Sequence, residues 1–248
     1  MHPAAPLVLA ILAAACRADV GELEGIYYDG DGRRVHCAVN LDSSAGNTLE
    51  SLDGGLDRAA ARGEVVELYA HRPGATVPHA TIEHVLAGAR DRGLAFVTYA
   101  DFAAGASAQA GLALSFDDAG ISSWLSARPL FQQYGARVTF FVTRYDTLTE
   151  DDLAGLRQLG DDGHEIAAHG LRHLHAPSYV EANGLAAYIA DEVLPSIELL
   201  LEDGYPVASF AYPYGARTGE IDRALAELVP VLRSVAFPVR GVGGPCPE

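Results

Sequence analysis

Two carboxylates stand side by side in "SFDDAG", residues 115–120, behind the apolar run Leu112-Ala113-Leu114. Along a strand, neighbouring side chains point to opposite faces. Asp117 and Asp118 share one pocket if the strand stops at Phe116 and the chain turns at once, which Ala119-Gly120 permits. A second cluster, "GHEIAAHGLRHLHAP" at 163–177, holds His164, His169, His173 and His175. His169 and His173 are spaced i, i+4, so a helical turn would place both rings on one face, close enough for one metal ion. Two imidazoles and one carboxylate, with open positions for water, suit Zn²⁺ or a similar divalent ion. Asp118 could supply that carboxylate. The competing reading is a polar, histidine-rich surface loop.

Two further stretches carry weaker signals. "SFAYPYGARTGEID", 209–222, reads as a strand end, a Pro-Tyr-Gly turn and a helix start. Such turns leave backbone N–H groups free to point into a pocket, as an oxyanion site requires, although an ordinary turn with aromatic packing reads the same way. In "VVELYAHRPG", 65–74, His71 directly follows a buried-looking strand. Barrel enzymes keep catalytic groups there; the alternative is a structural histidine.

Something must position these groups. Apolar, β-branched or aromatic runs recur at 34–39, 65–69, 94–99, 112–116, 138–142, 165–168, 207–212 and 231–237. Helical patterns lie between most of them. Residues 47–63 and 79–93 both end on Gly, the first with Leu49, Leu52 and Leu56 at helical spacing. Thr149 reads as an N-cap with acids behind it, and 178–203 as one long helix or a helix pair. The alternation predicts a parallel sheet with outer helices, and seven or eight strand units favour a closed (β/α) barrel over an open sheet. The small-residue stretch 101–111 reads as a linker.

The chain of 248 residues is 49% hydrophobic, enough for one large α/β domain or two small ones. Its 17 basic residues, all Arg, face 33 acidic ones, for a net charge of −16. Such a surface repels phosphate backbones and anionic membranes, which excludes nucleic-acid binding as the main task. At the N-terminus, the apolar run in "MHPAAPLVLAILAAAC" is too short to span a bilayer and reads as the core of an export signal. Its end, "LAAAC", resembles a lipoprotein cleavage box that would place a lipid anchor on Cys16. Residues 1–16 are then a signal and 17–248 the working domain, exported to the periplasm or cell surface. Cys37 and Cys246 are left as an even pair, which invites a disulfide in an oxidising compartment.

Together the four motifs resemble the polysaccharide deacetylases of carbohydrate esterase family four. "SFDDAG" is similar to the family's Thr/Ser-Phe-Asp-Asp-Gly, with Ala119 inserted. "HGLRH" is similar to His-(Ser/Thr)-x-x-His, with Gly170 where the hydroxyl belongs. "AYPYG" is similar to Arg-x-Pro-Tyr, with Ala211 in place of Arg, and "LYAH" to Leu-x-x-His. The resemblance implies that Asp118, His169 and His173 hold a divalent metal, Zn²⁺ first, with Co²⁺ or Ni²⁺ as alternatives. It implies Asp117 as general base, His71 as general acid and the Tyr214 backbone N–H as an oxyanion donor. The implied substrate is an N-acetylated polysaccharide. A non-catalytic carbohydrate-binding protein and a hydrolase of small amides are the alternatives on the same fold. Asp42 is a weak candidate for tuning His71, and a turn or cap role is the preferred expectation.

The motif order departs from the family, since "LYAH" and its closing strand precede "SFDDAG" here. The resemblance therefore implies a distorted (β/α) barrel of seven or eight strands, circularly permuted. On this reading strands 65–69 and 94–99 close the barrel, 94–99 lies beside 112–116, and 231–237 neighbours 34–39. A Cys37–Cys246 bridge would then join the two ends of the chain.

Overall fold

The computed structural model describes residues 19–105, 109–236 and 246. The expected signal and the expected lipidation site at Cys16 lie outside the described residues, as does Phe237. Nine strands are present among the described residues: β1 (Tyr27–Tyr28), β2 (Val35–Asn40), β3 (Val65–Ala70), β4 (Ala95–Val97), β5 (Gly111–Asp118), β6 (Thr139–Val142), β7 (Glu165–Ala168), β8 (Ser209–Ala211) and β9 (Val231–Ala236). Helices α1 (Leu49–Arg62), α2 (His79–Asp91), α3 (Tyr99–Ala103), α4 (Ile121–Tyr134), α5 (Glu150–Asp161), α6 (Ala176–Asn183), α7 (Leu185–Tyr188), α8 (Leu194–Glu202) and α9 (Gly219–Leu225) lie between them.

Seven strands close a parallel barrel in the order β3-β2-β9-β8-β7-β6-β5, with β5 pairing back onto β3. The Val/Leu/Phe runs make this possible because strands in a parallel barrel are covered on both faces; β3, β6, β7, β8 and β9 are buried at every position. All eight predicted strands form. One predicted adjacency needs correcting: β4 does lie beside β5, with Ala95 opposite Gly111, yet it is not a stave of the ring. Strand β3 pairs with β5 over six residues, Val65 to Ala70, and closes the barrel itself. Just three residues long, β4 borders the foot of β5, and the chain turns into α3 at Tyr99. That helix also takes up the first part of the predicted linker; its Tyr99 and Phe102 pack with His36 under the barrel.

The helices begin and end where their caps dictate. The Thr48 hydroxyl accepts from Ser51 N–H at the start of α1, and Gly63 ends it at φ 71°. Thr149 and Asp152 form a capping box on α5. The predicted long helix or helix pair at 178–203 is broken into α6, α7, a π-helical turn (Ile189–Val193) and α8, because Gly184 interrupts it at φ 89° and Pro195 removes a donor. Among the described residues no helix is long and apolar enough to cross a membrane.

Strand β9 pairs with β2 in parallel from Val35–Leu232 to Val39–Ala236, so the last barrel strand lies against the first. A disulfide joins Cys37 on β2 to Cys246, with Cα atoms 5.8 Å apart, as expected from the cysteine pair. It closes a loop of 209 residues, so it restricts the unfolded chain strongly. Replacing both cysteines by Ser should lower stability by about 2–4 kcal/mol. Denaturant melts of the oxidised and double-Ser proteins check this, and superimposable curves would refute it.

Candidate active site

Strand β5 does not stop at Phe116. It runs through both aspartates, and the break in alternation occurs at Asp118 itself, where φ is 84°. Asp117 keeps the inward direction and is almost fully buried, while Asp118 swings onto the rim. The turn is thus made by a non-glycine residue in the left-handed region, a conformation that costs energy. The described residues hold four such positions: Asp118, Arg144, His173 and Tyr214. Three of the four are residues singled out from the sequence, and strain of this kind collects at functional sites.

Asp118, His169 and His173 offer ligand atoms that all lie within 4.8 Å of one another. His173 Nε2 is 3.3 Å from Asp118 Oδ1, and His169 Nε2 is 3.8 Å away. The two histidines do not sit on a helical turn, as their spacing predicted. His169 directly follows β7, and a loop carries the chain back through Gly170 (φ 76°) and His173 (φ 59°) to bring the rings within 5.0 Å. Helical spacing misleads here because positive φ values curl the loop by another route.

The donor set fits a divalent cation. His169 Nδ1 is 2.9 Å from the Ala211 carbonyl, so that nitrogen carries the proton and the Nε2 lone pair is left for the metal. Burial pushes the His169 imidazole down to about 4, which keeps it neutral. Burial alone would raise the Asp118 carboxyl, but the hydrogen bond from His173 and the nearby imidazoles His169 and His71 hold it down to about 2. At neutral pH the site therefore presents one anion and a neutral imidazole lone pair. Of the cluster's other histidines, His164 is buried against Phe131 and Phe140, and His175 caps α6 by accepting from Ser178 N–H. Neither joins the ligand group.

His71 follows β3 directly. Since Ala70 pairs with Phe116, the strand register brings His71 level with Asp117. Its Nδ1 pairs with Asp42 Oδ2, its backbone N–H donates to Asp42 Oδ1 at 3.2 Å, and its carbonyl accepts from Trp124 Nε1 at 2.8 Å. Nε2 is the nitrogen left for chemistry. Burial lowers the His71 pKa, but the hydrogen bond to Asp42 and the charges of Asp117, Asp42 and Asp118 outweigh it, and the net shift is upward. Asp42 is consequently more than the expected turn or cap residue. It precedes a short 3₁₀ turn without capping it through its side chain; Thr76 Oγ1, at 2.7 Å, and His71 occupy its oxygens instead.

Tyr214 stands at the apex of the Pro213–Gly215 turn with φ 60°; the residue is 62% exposed, and its ring lies 4.5 Å from that of His173. The turn presses against β9. A Cβ on Gly215 would come within 3.0 Å of Val235 N, so only glycine fits.

None of the sequence motifs includes Arg233. This residue lies inside the barrel on β9, fully buried, and its guanidinium pairs with the Asp117 carboxylate. Its strand partner in the register is Ala211, the position where the family motif carries Arg. The Tyr69 and Phe141 rings lie 5.0 Å from the guanidinium on either count. A lone Arg inside the apolar run "VLRSVA" was the available signal, since a charge in a wholly buried strand must be paired.

A closed (β/α) barrel with acidic and imidazole groups gathered beyond the C-terminal ends of its strands is the layout of a barrel hydrolase. Residues 105–229, just over half of the chain, match the sequence profile of the polysaccharide deacetylase family, and the chain belongs to that family. No curated protein sequence matches it. Its fold is similar to that of IcaB from Ammonifex degensii (20% identity, TM-score 0.58, 74% of this chain and 91% of that one). It is also similar to the deacetylase domain of BpsB from Bordetella bronchiseptica (16% identity, TM-score 0.53, 90% and 94%). A third similar fold is the Streptococcus pyogenes deacetylase PplD, solved in complex with acetate (18% identity, TM-score 0.52, 70% and 92%).

Proposed function

We propose that this chain is a metal-dependent hydrolase that removes N-acetyl groups from an amino-sugar polymer and releases acetate. The observation that carries the proposal is the convergence of Asp118, His169 and His173 beside the buried Asp117–Arg233 pair at one end of the barrel. Asp118, His169 and His173 would hold the ion, and two imidazoles with one carboxylate suit Zn²⁺. When bound it supplies a Lewis acid that polarises the acetyl carbonyl. Asp117 takes the proton from the attacking water. The Tyr214 N–H donates to the oxygen on which negative charge develops. His71 Nε2 returns a proton to the departing amine nitrogen, so His71 must enter the reaction protonated. The polymer is of the peptidoglycan, chitin or poly-N-acetylglucosamine type.

The order of the motifs supports a circularly permuted barrel. The family profile begins just ahead of β5, so β2, β3 and His71 lie in front of the matched segment, and β2 nevertheless pairs with β9. The disulfide supports export to an oxidising compartment, since such bonds persist there.

Acetate release tests the proposal directly. The metal-stripped protein is incubated with acetylated chitin oligomers, peptidoglycan, a β-1,6 glucosamine polymer and small amides, with and without added Zn²⁺. Release from a polymer that is lost on chelation and restored by Zn²⁺ is the expected outcome. Release from small amides alone would leave the amide hydrolase, and no release at all the non-catalytic carbohydrate binder.

The Asp42–His71 pair sets the alkaline side of the pH profile. A raised His71 pKa keeps the acid protonated to higher pH, and turnover falls as pH rises through that pKa. Asp42→Asn removes one of the three carboxylates around His71, those of Asp42, Asp117 and Asp118, and so lowers the pKa. The alkaline limb of kcat should move to lower pH. An unmoved limb would contradict the acid role of His71.

A further inference from the structure

Gly170 occupies the place of the Ser or Thr in "HGLRH", so residue 170 brings no hydroxyl of its own to the loop between the two histidines, although its carbonyl accepts from Thr143 Oγ1 at 2.7 Å. A buried carboxylate from another element takes that space. A Cβ on Gly170 would collide with the Glu192 carboxylate, meeting its Cδ at 2.8 Å. Glu192 lies in the π-helical turn Ile189–Val193 and is 0% exposed. Turns of this type insert one extra residue into a helix and recur at functional sites.

The Glu192 carboxylate grips the loop on both sides of His173. One oxygen accepts from Arg172 N–H at 2.7 Å, and the other accepts from Leu174 N–H at 2.8 Å. The Glu192 main-chain carbonyl accepts from Leu171 N–H at 3.0 Å. Three of the loop's backbone donors therefore end on one residue, and the two carboxylate contacts flank the residue with φ 59°. A non-glycine residue in that conformation persists only where its surroundings over-determine it. Hydrogen bonds to a charged acceptor in a buried site are among the stronger available. Among the described residues, the carboxylate makes no hydrogen bond to Asp118 or to the imidazoles of His169 and His173.

We propose that Glu192 is the positioning residue of the metal centre: it fixes the backbone on either side of His173 so that the imidazole stands ready opposite Asp118 and His169. The proposal rests on the metal-site reading above. Preorganisation of this kind acts on affinity for the ion, because an unpinned loop must be ordered at the moment of binding.

The test is Zn²⁺ affinity, measured on metal-stripped proteins by competition with a chromophoric chelator. Glu192→Gln keeps the shape but turns an amide N–H₂ toward one of the two backbone donors. It should bind Zn²⁺ about 10–100-fold more weakly, with a folded circular-dichroism spectrum. Activity should recover at saturating Zn²⁺, so that the metal concentration for half-activity rises while kcat is largely kept. Glu192→Asp is the second variant. Its carboxylate is drawn back by one methylene and cannot span both donors, so affinity should fall there too. A merely structural carboxylate would lower the melting temperature and leave the affinity of the folded protein alone. Folded Glu192→Gln or Glu192→Asp protein with wild-type Zn²⁺ affinity overturns the proposal while the metal site stands. Wild-type protein that takes up no Zn²⁺ overturns the metal site and the proposal together.

Discussion

Asp117→Asn should keep the metal and lower turnover by on the order of 10²–10⁴-fold, whereas His169→Ala should lose both. The two neighbouring aspartates are separated by their environments. Asp118 sits on the rim within the ligand group of His169 and His173. Asp117 lies in the barrel, bonded to Arg233, and is not a member of that group. Exchanging the Asp117 carboxylate for an amide removes a proton acceptor and leaves the proposed ligands Asp118, His169 and His173 in place. The exchange also leaves the Arg233 charge buried without its partner, which costs stability; a thermal melt therefore accompanies each variant. His169 is fully buried, and its Nδ1 is committed to Ala211 O, so no other atom of the side chain can replace Nε2. Metal content by atomic spectroscopy and acetate release read the two effects separately. Near-normal turnover in Asp117→Asn would remove it as the base. Stoichiometric metal in the His169→Ala/His173→Ala double variant would remove the ligand assignment.

How much of this site could be read from the sequence depends on how local each cause is. The strands were legible because a parallel barrel buries both faces of its staves, and runs such as Val138–Val142 carry that requirement in consecutive residues. Helix limits at Thr48, Gly63 and Thr149 were legible because caps act within three or four residues. Asp117 and Asp118 end a strand, and His169 and His71 directly follow one, so chain position alone placed them near one rim. Long-range partners were not legible. Asp42 pairs with His71 across 29 residues and reads locally as a turn aspartate. Glu192 reads as one more acid in a helical stretch, and its contacts with Arg172 and Leu174 lie 20 and 18 residues away. The backbone path at Asp118 and His173 was hidden for a different reason. Left-handed φ in a non-glycine residue is imposed by surroundings, so the local sequence favours the strand end or helical turn it superficially matches.

Moving the barrel's buried guanidinium should move the activity with it. Arg233→Ala should lower kcat by on the order of 10²-fold, because a base released from its partner by even an ångström loses its alignment. The same change strands a buried carboxylate, with a stability cost of about 3–5 kcal/mol, so the melt must show the protein folded at the assay temperature. Arg233→Lys retains the charge without the planar fork and should fall between wild type and Arg233→Ala. The relocation variant Ala211→Arg/Arg233→Ala separates position from charge. Residues 211 and 233 are partners in the β8–β9 register, and neighbouring strands run about 4.8 Å apart, a span the flexible stem of Arg can cover. Both positions are fully buried in the barrel wall, so an arginine at 211 faces the same choice as Arg233: pair with Asp117 or remain an uncompensated buried charge. Pairing is much the cheaper, and the double variant should regain most of the turnover lost in Arg233→Ala. Folded Arg233→Ala with wild-type kcat would show that Asp117 needs no guanidinium. Failure of the folded double variant to improve on Arg233→Ala would instead tie the function to the β9 strand, where Arg233 also lies against Tyr69 and Phe141.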